Sequence, residues 1–329
     1  MEMCKKQIYI SGVGCLLMSC FLVSPAFSQS GDVSYEDKLK KYRADSLAAV
    51  KKNELKQQKQ KEIQAKNAVL IESNNALAAY KRKRYQQAVT LCDKAIAMDA
   101  DYAKAYYIKG IAQKKLRKYK ESVSSLQLAV EKNPNNAAAF FALGGAFDII
   151  GKVDEALKAY DDCIAVNQGY YKAYYQAGLV HMNKKKSYEK AIEYLKTASE
   201  KNPKYDKAFN GWGDALIKQK KYRDATKPLQ SAVAVNSKNY LAWWNLSVAY
   251  NNIGNYSKGL DAAKQALKAR PKFAAAAFEA GNALKHLGKW TDAKQYFTRA
   301  SKDRAWRKSA QYEIDTIAEE MKKKRIENN

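Results

Sequence analysis

The chain has 329 residues, 47% of them hydrophobic, with 59 Lys+Arg against 33 Asp+Glu and a formal charge of +26. That apolar content is enough for a real core in one elongated domain or two globular ones. Val and Ile do not cluster in alternating runs, which disfavours sheet, and the cationic surplus points to anionic partners such as nucleic acid, phospholipid, lipopolysaccharide or acidic protein.

Residues 1–28 read as a secretory signal peptide. A short basic start, MEMCKKQ, leads into the apolar IYISGVGCLLMSCFLV, which is short for a membrane span of about 20 residues. Ala26 and Ser28 then supply the small residues that signal peptidase requires, so cleavage after Ser28 is favoured over an uncleaved anchor or lipidation at Cys20 in LMSC. Removing this segment takes away only Lys5, Lys6 and Glu2, so the basic bias belongs to the mature chain. It also removes three of the five cysteines. Cys92 and Cys163 remain, too few for a disulfide scaffold and expected to be unpaired core thiols.

Residues 29–68 are helix-prone and rich in Lys, Gln and Glu, with a weak stripe of Leu39, Tyr42, Leu47 and Val50. Heptads are not sustained, so a solvated helical linker is preferred to a dimerising helix.

From residue 69 a period governs the chain. Tyr85, Tyr119, Val153, Tyr188, Tyr222, Tyr256 and Trp290 are spaced 34, 34, 35, 34, 34 and 34 residues apart. Small residues recur in step: Ala76, Gly110, Gly144, Gly178, Gly213, Ser247, Gly281; then Ala88, Ser122, Ala156, Ala191, Ala225, Gly259, Ala293; then Ala95, Ala129, Cys163, Ala198, Ala232, Ala266, Ala300. Two helices pack closely only where one presents a small residue, and the neighbouring aromatics are expected to fill the gap. Pro134, Pro203 and Pro271 each end a unit. Each unit is therefore predicted to be helix, turn, helix, burying its core only by stacking on the next. The one extra residue falls near NKKKS, where a turn is expected to absorb it.

AWWNLSVAYNNIGNYSKGLDAAKQALKARP carries nearly the whole motif that this period resembles, that of the tetratricopeptide repeat family. The resemblance covers residues 69–304 as seven units. Departures are Ala100, Gln168, Ser237 and Ala305 in place of the terminal proline, Val153 in place of a tyrosine, and a first unit without its large aromatic. The resemblance implies an all-α, right-handed superhelical solenoid that binds a peptide or domain in its concave groove. Residues 305–329 suit a C-terminal capping helix and tail, closing the last interface.

The paired tryptophans of AWWNL separate two faces of a helix. Trp243 aligns with Leu246, Ser247 and Tyr250 and is expected in the core; Trp244 aligns with Leu241, Val248 and Asn251, the stripe that by resemblance lines the groove. The second member of each such pair gives a ladder of Tyr107, Phe141, Tyr175, Trp244 and Phe278, interrupted by Asn210. Asn245, Asn251, Asn252 and Asn282 are candidates to hydrogen-bond a bound backbone.

Cations cluster at the turns inside units: Lys81, Arg82, Lys83 and Arg84; Lys114 and Lys115; Lys184, Lys185 and Lys186; Lys220 and Lys221. Stacking would align them as a basic edge suited to anionic lipid or glycan, or simply solvated. Lys104, Lys172 and Lys207 recur near the groove mouth.

No enzyme signature stands out. His181 and His286 are three units apart and cannot share a metal or triad. GGAFDIIGKV misses the phosphate-loop spacing by one. The expectation is a non-enzymatic scaffold or assembly factor without metal or cofactor, exported to the periplasm or outer membrane of a bacterial cell envelope. Its partners are proteins, with lipid or glycan as the alternative and nucleic acid disfavoured. Oligomeric state is left open.

Overall fold

The computed structural model describes residues 34–327. The signal-peptide reading, with Ser28 and Cys20, lies outside the described residues, among which no helix is long and apolar enough to cross a membrane. The chain divides between Ile63 and Gln64 into two units. In the first, residues 35–63 form the N-terminal part of α1 (Tyr35–Lys81), and all of them are exposed, Leu39, Tyr42, Leu47 and Val50 included. Good helix formers hold this stretch helical without any fixed apolar stripe.

The second unit is an all-α solenoid. The end of α1, with Val69, Ser73, Ala76 and Ala79 buried, pairs with α2 (Tyr85–Met98). Then follow α3 (Ala103–Lys115) with α4 (Tyr119–Lys132), α5 (Ala137–Ile149) with α6 (Val153–Val166), and α7 (Tyr171–Val180) with α8 (Tyr188–Lys201). Next come α9 (Asp206–Lys218) with α10 (Tyr222–Val235), α11 (Tyr240–Asn252) with α12 (Tyr256–Ala269), and α13 (Ala274–His286) with α14 (Trp290–Ala300). From α2 onward each helix packs on the next, and first helices also touch across repeats, as α11 touches both α9 and α13. α15 (Arg307–Glu327) covers α14 with Ala310 and Ile317 buried in the last cluster.

The glycine series explains the pairing. A Cβ on Gly110 would stand 2.5 Å from Leu126 Cγ, one on Gly178 2.6 Å from Leu195 Cγ, and one on Gly281 2.8 Å from the Phe297 ring. The gap is thus filled by the residue seven after the turn aromatic, and not by Tyr119, Tyr188 or Trp290 themselves, which open the second helices half-buried. Sizes are traded along the register: glycine faces Leu126, Tyr160, Leu195, Leu229 or Phe297, whereas Ala76 and Ser247 stand opposite Cys92 and Ala263. The largest residues thus stand only opposite glycine, as close packing requires.

The extra residue is absorbed inside a helix. α7 widens at its end into a single π turn, His181–Lys185, before Lys186 takes the left-handed conformation. The same conformation recurs at every described turn between the two helices of a unit. Lys83, Arg117, Lys186 and Lys220 adopt it at φ 55–63°, and Gly151, Gly254 and Gly288 at φ 73–81°. Between units, the recurring turn former is an Asx side chain more than proline. Asp99, Asn133, Asn167, Asn202, Asn236 and Asp303 each accept, through Oδ1, the backbone N–H two residues on. This is why Ala100, Gln168, Ser237 and Ala305 can stand where a proline was expected.

Candidate functional site

The ladder residues all project from first helices. Tyr107, Phe141, Tyr175, Asn210, Trp244 and Phe278 are each half-buried, so each shows one side to solvent and packs the other. They pack largely on aromatics of the next inter-repeat turn. Phe141 lies 5.2 Å from Tyr170, Tyr175 meets Tyr205 edge-on at 5.2 Å, and Trp244 meets Phe273 edge-on at 5.7 Å. Burial holds the Tyr107 and Tyr175 phenols above their ordinary range, so both stay neutral donors. Trp244 Nε1 is buried without a hydrogen-bond partner among the described residues.

Trp243 is not the core residue that its stripe predicts. It is half-buried, packs against two separate core clusters, and its Nε1 donates to the Ser237 carbonyl at 2.8 Å. Its repeat position falls at the seam between consecutive units, where it lines a crevice between α10 and α12 with Val233 and Lys258.

The amides are mostly engaged within the fold. Asn245 is buried and donates to Asn210 Oδ1 at 3.0 Å. Asn251 donates to the carbonyl and the carboxylate of Glu279, at 3.0 and 2.8 Å, and Asn282 also bonds that carboxylate. Asn252 is exposed and donates to the Val248 carbonyl. Sequence reasoning missed Glu279, which replaces Asn245 one repeat on. Burial pushes its carboxyl above the usual range, against the pull of the two amides. Asp214 is raised likewise by burial, with Lys218 opposing. Aligning the repeats by column would have exposed both acids.

The turn cations do not behave as one set. Lys81, Arg82, Lys83, Arg84, Lys115, Lys186, Lys220 and Lys221 are exposed. Lys184 is fixed to Asp148 and Lys185 to Asp154, each at 2.6 Å. Lys114 is half-buried against Gly145, and burial lowers its pKa, reinforced by Lys115. It occupies the last turn of α3 and faces the next repeat, so it does not belong to an exposed edge. At the other end of the first helices, Lys104 donates to Asn74 Oδ1 at 3.0 Å, while Lys172 and Lys207 are exposed.

The family model described as tetratricopeptide repeat matches residues 74–137, 107–163, 150–206, 210–263 and 252–310, well over half of the chain. The chain belongs to the tetratricopeptide repeat family. A TPR repeat-containing protein of Methanocaldococcus jannaschii is 33% identical over 121 residues, which are 36% of this chain and 21% of that protein. The chain therefore matches only about a fifth of that relative's length. Among solved structures, the C-terminal part of a TPR repeat-containing protein from Cytophaga hutchinsonii aligns with a TM-score of 0.61 at 16% identity, covering 74% of this chain and 99% of that one. YrrB, described as a TPR protein with an unusual peptide-binding site, aligns with a TM-score of 0.50 at 21% identity, covering 58% of this chain and 99% of that one. At these identities the likeness speaks for the fold alone.

Tetratricopeptide repeats are generally non-enzymatic scaffolds for protein–protein interaction. His181 is buried and stacked on Tyr194 at 5.3 Å, and His286 is stacked on Tyr256 at 4.3 Å. Gly144 and Gly145 of the GGAFDIIGKV stretch lie within α5, where Gly144 admits Tyr160, so no phosphate loop forms there.

Proposed function

We propose that this tetratricopeptide repeat protein is an exported scaffold or assembly factor of a bacterial cell envelope. An extended segment of a partner protein lies along the first helices, over Tyr107, Phe141, Tyr175, Trp244 and Phe278. The observation that carries the reading is the shared half-burial of these residues: each is braced on its inner side and leaves a rigid apolar face outside, the property of a binding anchor. Replacing Tyr175 and Trp244 together by Ala should weaken partner binding by more than tenfold while the helical circular-dichroism signal is retained. Unchanged affinity in that folded variant would remove the ladder from consideration.

A second reading rests on a different observation. Lys81, Arg82, Lys83, Arg84, Lys220 and Lys221 are exposed and form no ion pair among the described residues. A basic edge of this kind suits anionic lipid or glycan. Co-sedimentation with phosphatidylglycerol vesicles, lost on raising salt and lost in a Lys220→Glu/Lys221→Glu variant, would favour it over the groove.

A further inference from the structure

The seventh repeat breaks the pattern of repeats two to six at one position, as Glu72 does in the first. The first member of each aromatic pair is Tyr106, Phe140, Tyr174, Phe209 and Trp243, and then Ala277. In the sixth repeat the Trp243 indole occupies that place and donates to the Ser237 carbonyl. In the seventh there is no ring, and the equivalent carbonyl, Pro271 O, instead accepts from the Arg299 guanidinium. A cavity of about 470 Å³ remains, walled by the half-buried Phe273, backed by the buried Ala274 and Ala277, and rimmed by Lys272, Arg299 and Lys302.

Its charge is one-sided. The three rim cations form no ion pair among the described residues, and Lys272 and Lys302 are exposed. Asp303 is the one carboxylate in the lining, and its Oδ1 is engaged by the Ala305 N–H at 2.8 Å. Arg270, Arg304, Arg307 and Lys308, close to the lining residues in sequence, are exposed as well. The cavity contains none of the ladder residues.

We infer that this cavity is a second recognition site, which takes an aromatic side chain of a partner segment with carboxylates flanking it. The ring fills the place that Tyr, Phe or Trp fills in earlier repeats, and the carboxylates meet Lys272, Lys302 and Arg299. The volume exceeds one aromatic side chain, leaving room for flanking backbone. An apolar floor with a few convergent polar groups is the ordinary composition of a ligand pocket. An all-ionic ligand would leave the Phe273 wall unused, and a neutral aromatic would leave the cations unpaired.

Calorimetric titration of the full chain with acetyl-Asp-Asp-Phe-Asp-Asp-amide and its Phe-to-Ala counterpart tests this. The Phe peptide should bind at least tenfold tighter. Ala277→Trp should erase that difference, Lys272→Glu/Lys302→Glu should weaken the Phe peptide at least tenfold, and Tyr175→Ala, three repeats away, should change neither. Should Ala277→Trp fail to fold, the exposed lysine pair carries the test. Equal binding of the two peptides, no binding of the Phe peptide, or full binding in the lysine variant would overturn the inference. Loss of binding in Tyr175→Ala would also overturn it by moving the peptide to the groove.

Discussion

Gly213 and Leu229 compete for one space: a Cβ on the glycine would stand 2.4 Å from the leucine Cγ. Leu229 is fully buried, so the leucine cannot swing away. Gly213→Ala should therefore destabilise the array by about 1–3 kcal/mol, the usual effect of overpacking. The register supplies the compensation, since Ser247 stands opposite Ala263 one repeat on. In urea titrations the pair Gly213→Ala and Leu229→Ala should cost less than the sum of the two singles. Strict additivity would mean that the crossing does not set the packing.

The left-handed turns give an opposite expectation. Lys83, Arg117 and Lys220 hold φ near 60°, which costs a residue with a Cβ about 1 kcal/mol or more relative to glycine. Replacing any of them by Gly should raise the urea midpoint by the equivalent of about 0.5–1 kcal/mol, and Gly254→Ala should lower it. A lysine at these turns that proves no worse than glycine would refute the strain argument.

How much of this was legible in sequence follows from what kind of force fixes each feature. The sevenfold register could be read because a helix crossing tolerates only a small residue, and Gly110, Gly144, Gly178, Gly213 and Gly281 declare it without regard to context. The extra residue near Asn183 was located, but not its form, because a π turn and a longer loop need the same residue count. Glu279 is marked only by its column, where it replaces Asn245; its bond to Asn251 is made by stacking of α11 on α13, while Asn282 lies one turn on in the same helix. Trp243 was assigned to the core from its stripe alone, and the stripe does not say that the position falls at a seam between units. Pro228, fully buried inside α10, is a fourth proline for which the sequence pattern offers no reading.

Half-buried Glu279 gives the fold a pH dependence. Its carboxyl is raised by burial, so the folded form holds the proton more tightly than the unfolded chain. Between the unfolded and the raised folded pKa, stability falls as pH rises. Glu279→Gln should flatten that slope in unfolding experiments and stabilise the protein at neutral pH, leaving the share due to Asp214. An unchanged slope would place the dependence elsewhere.

Both described cysteines are unpaired and buried, and burial pushes the Cys92 thiol up to about 12 and Cys163 up to about 11. Neither should react with a thiol reagent at pH 8 until the array is unfolded. Fast modification of the native protein would show local opening around α2 or α6.

Export has its own test. The mass and N-terminal sequence of the protein from fractionated cells should give a chain beginning at Gln29 in the envelope fraction. A lipidated Cys20 start would make it a tethered adaptor, and an intact Met1 in the cytoplasm would contradict export.

Partner segments, as proposed, lie across the ladder. Photocrosslinking residues placed in living cells at positions 175 and 244, with position 264 on α12 as control, test this. Positions 175 and 244 should trap the same stretch of one protein, identified by mass spectrometry, and 264 should not. Adducts of equal strength at 264, or unrelated proteins at 175 and 244, would contradict it.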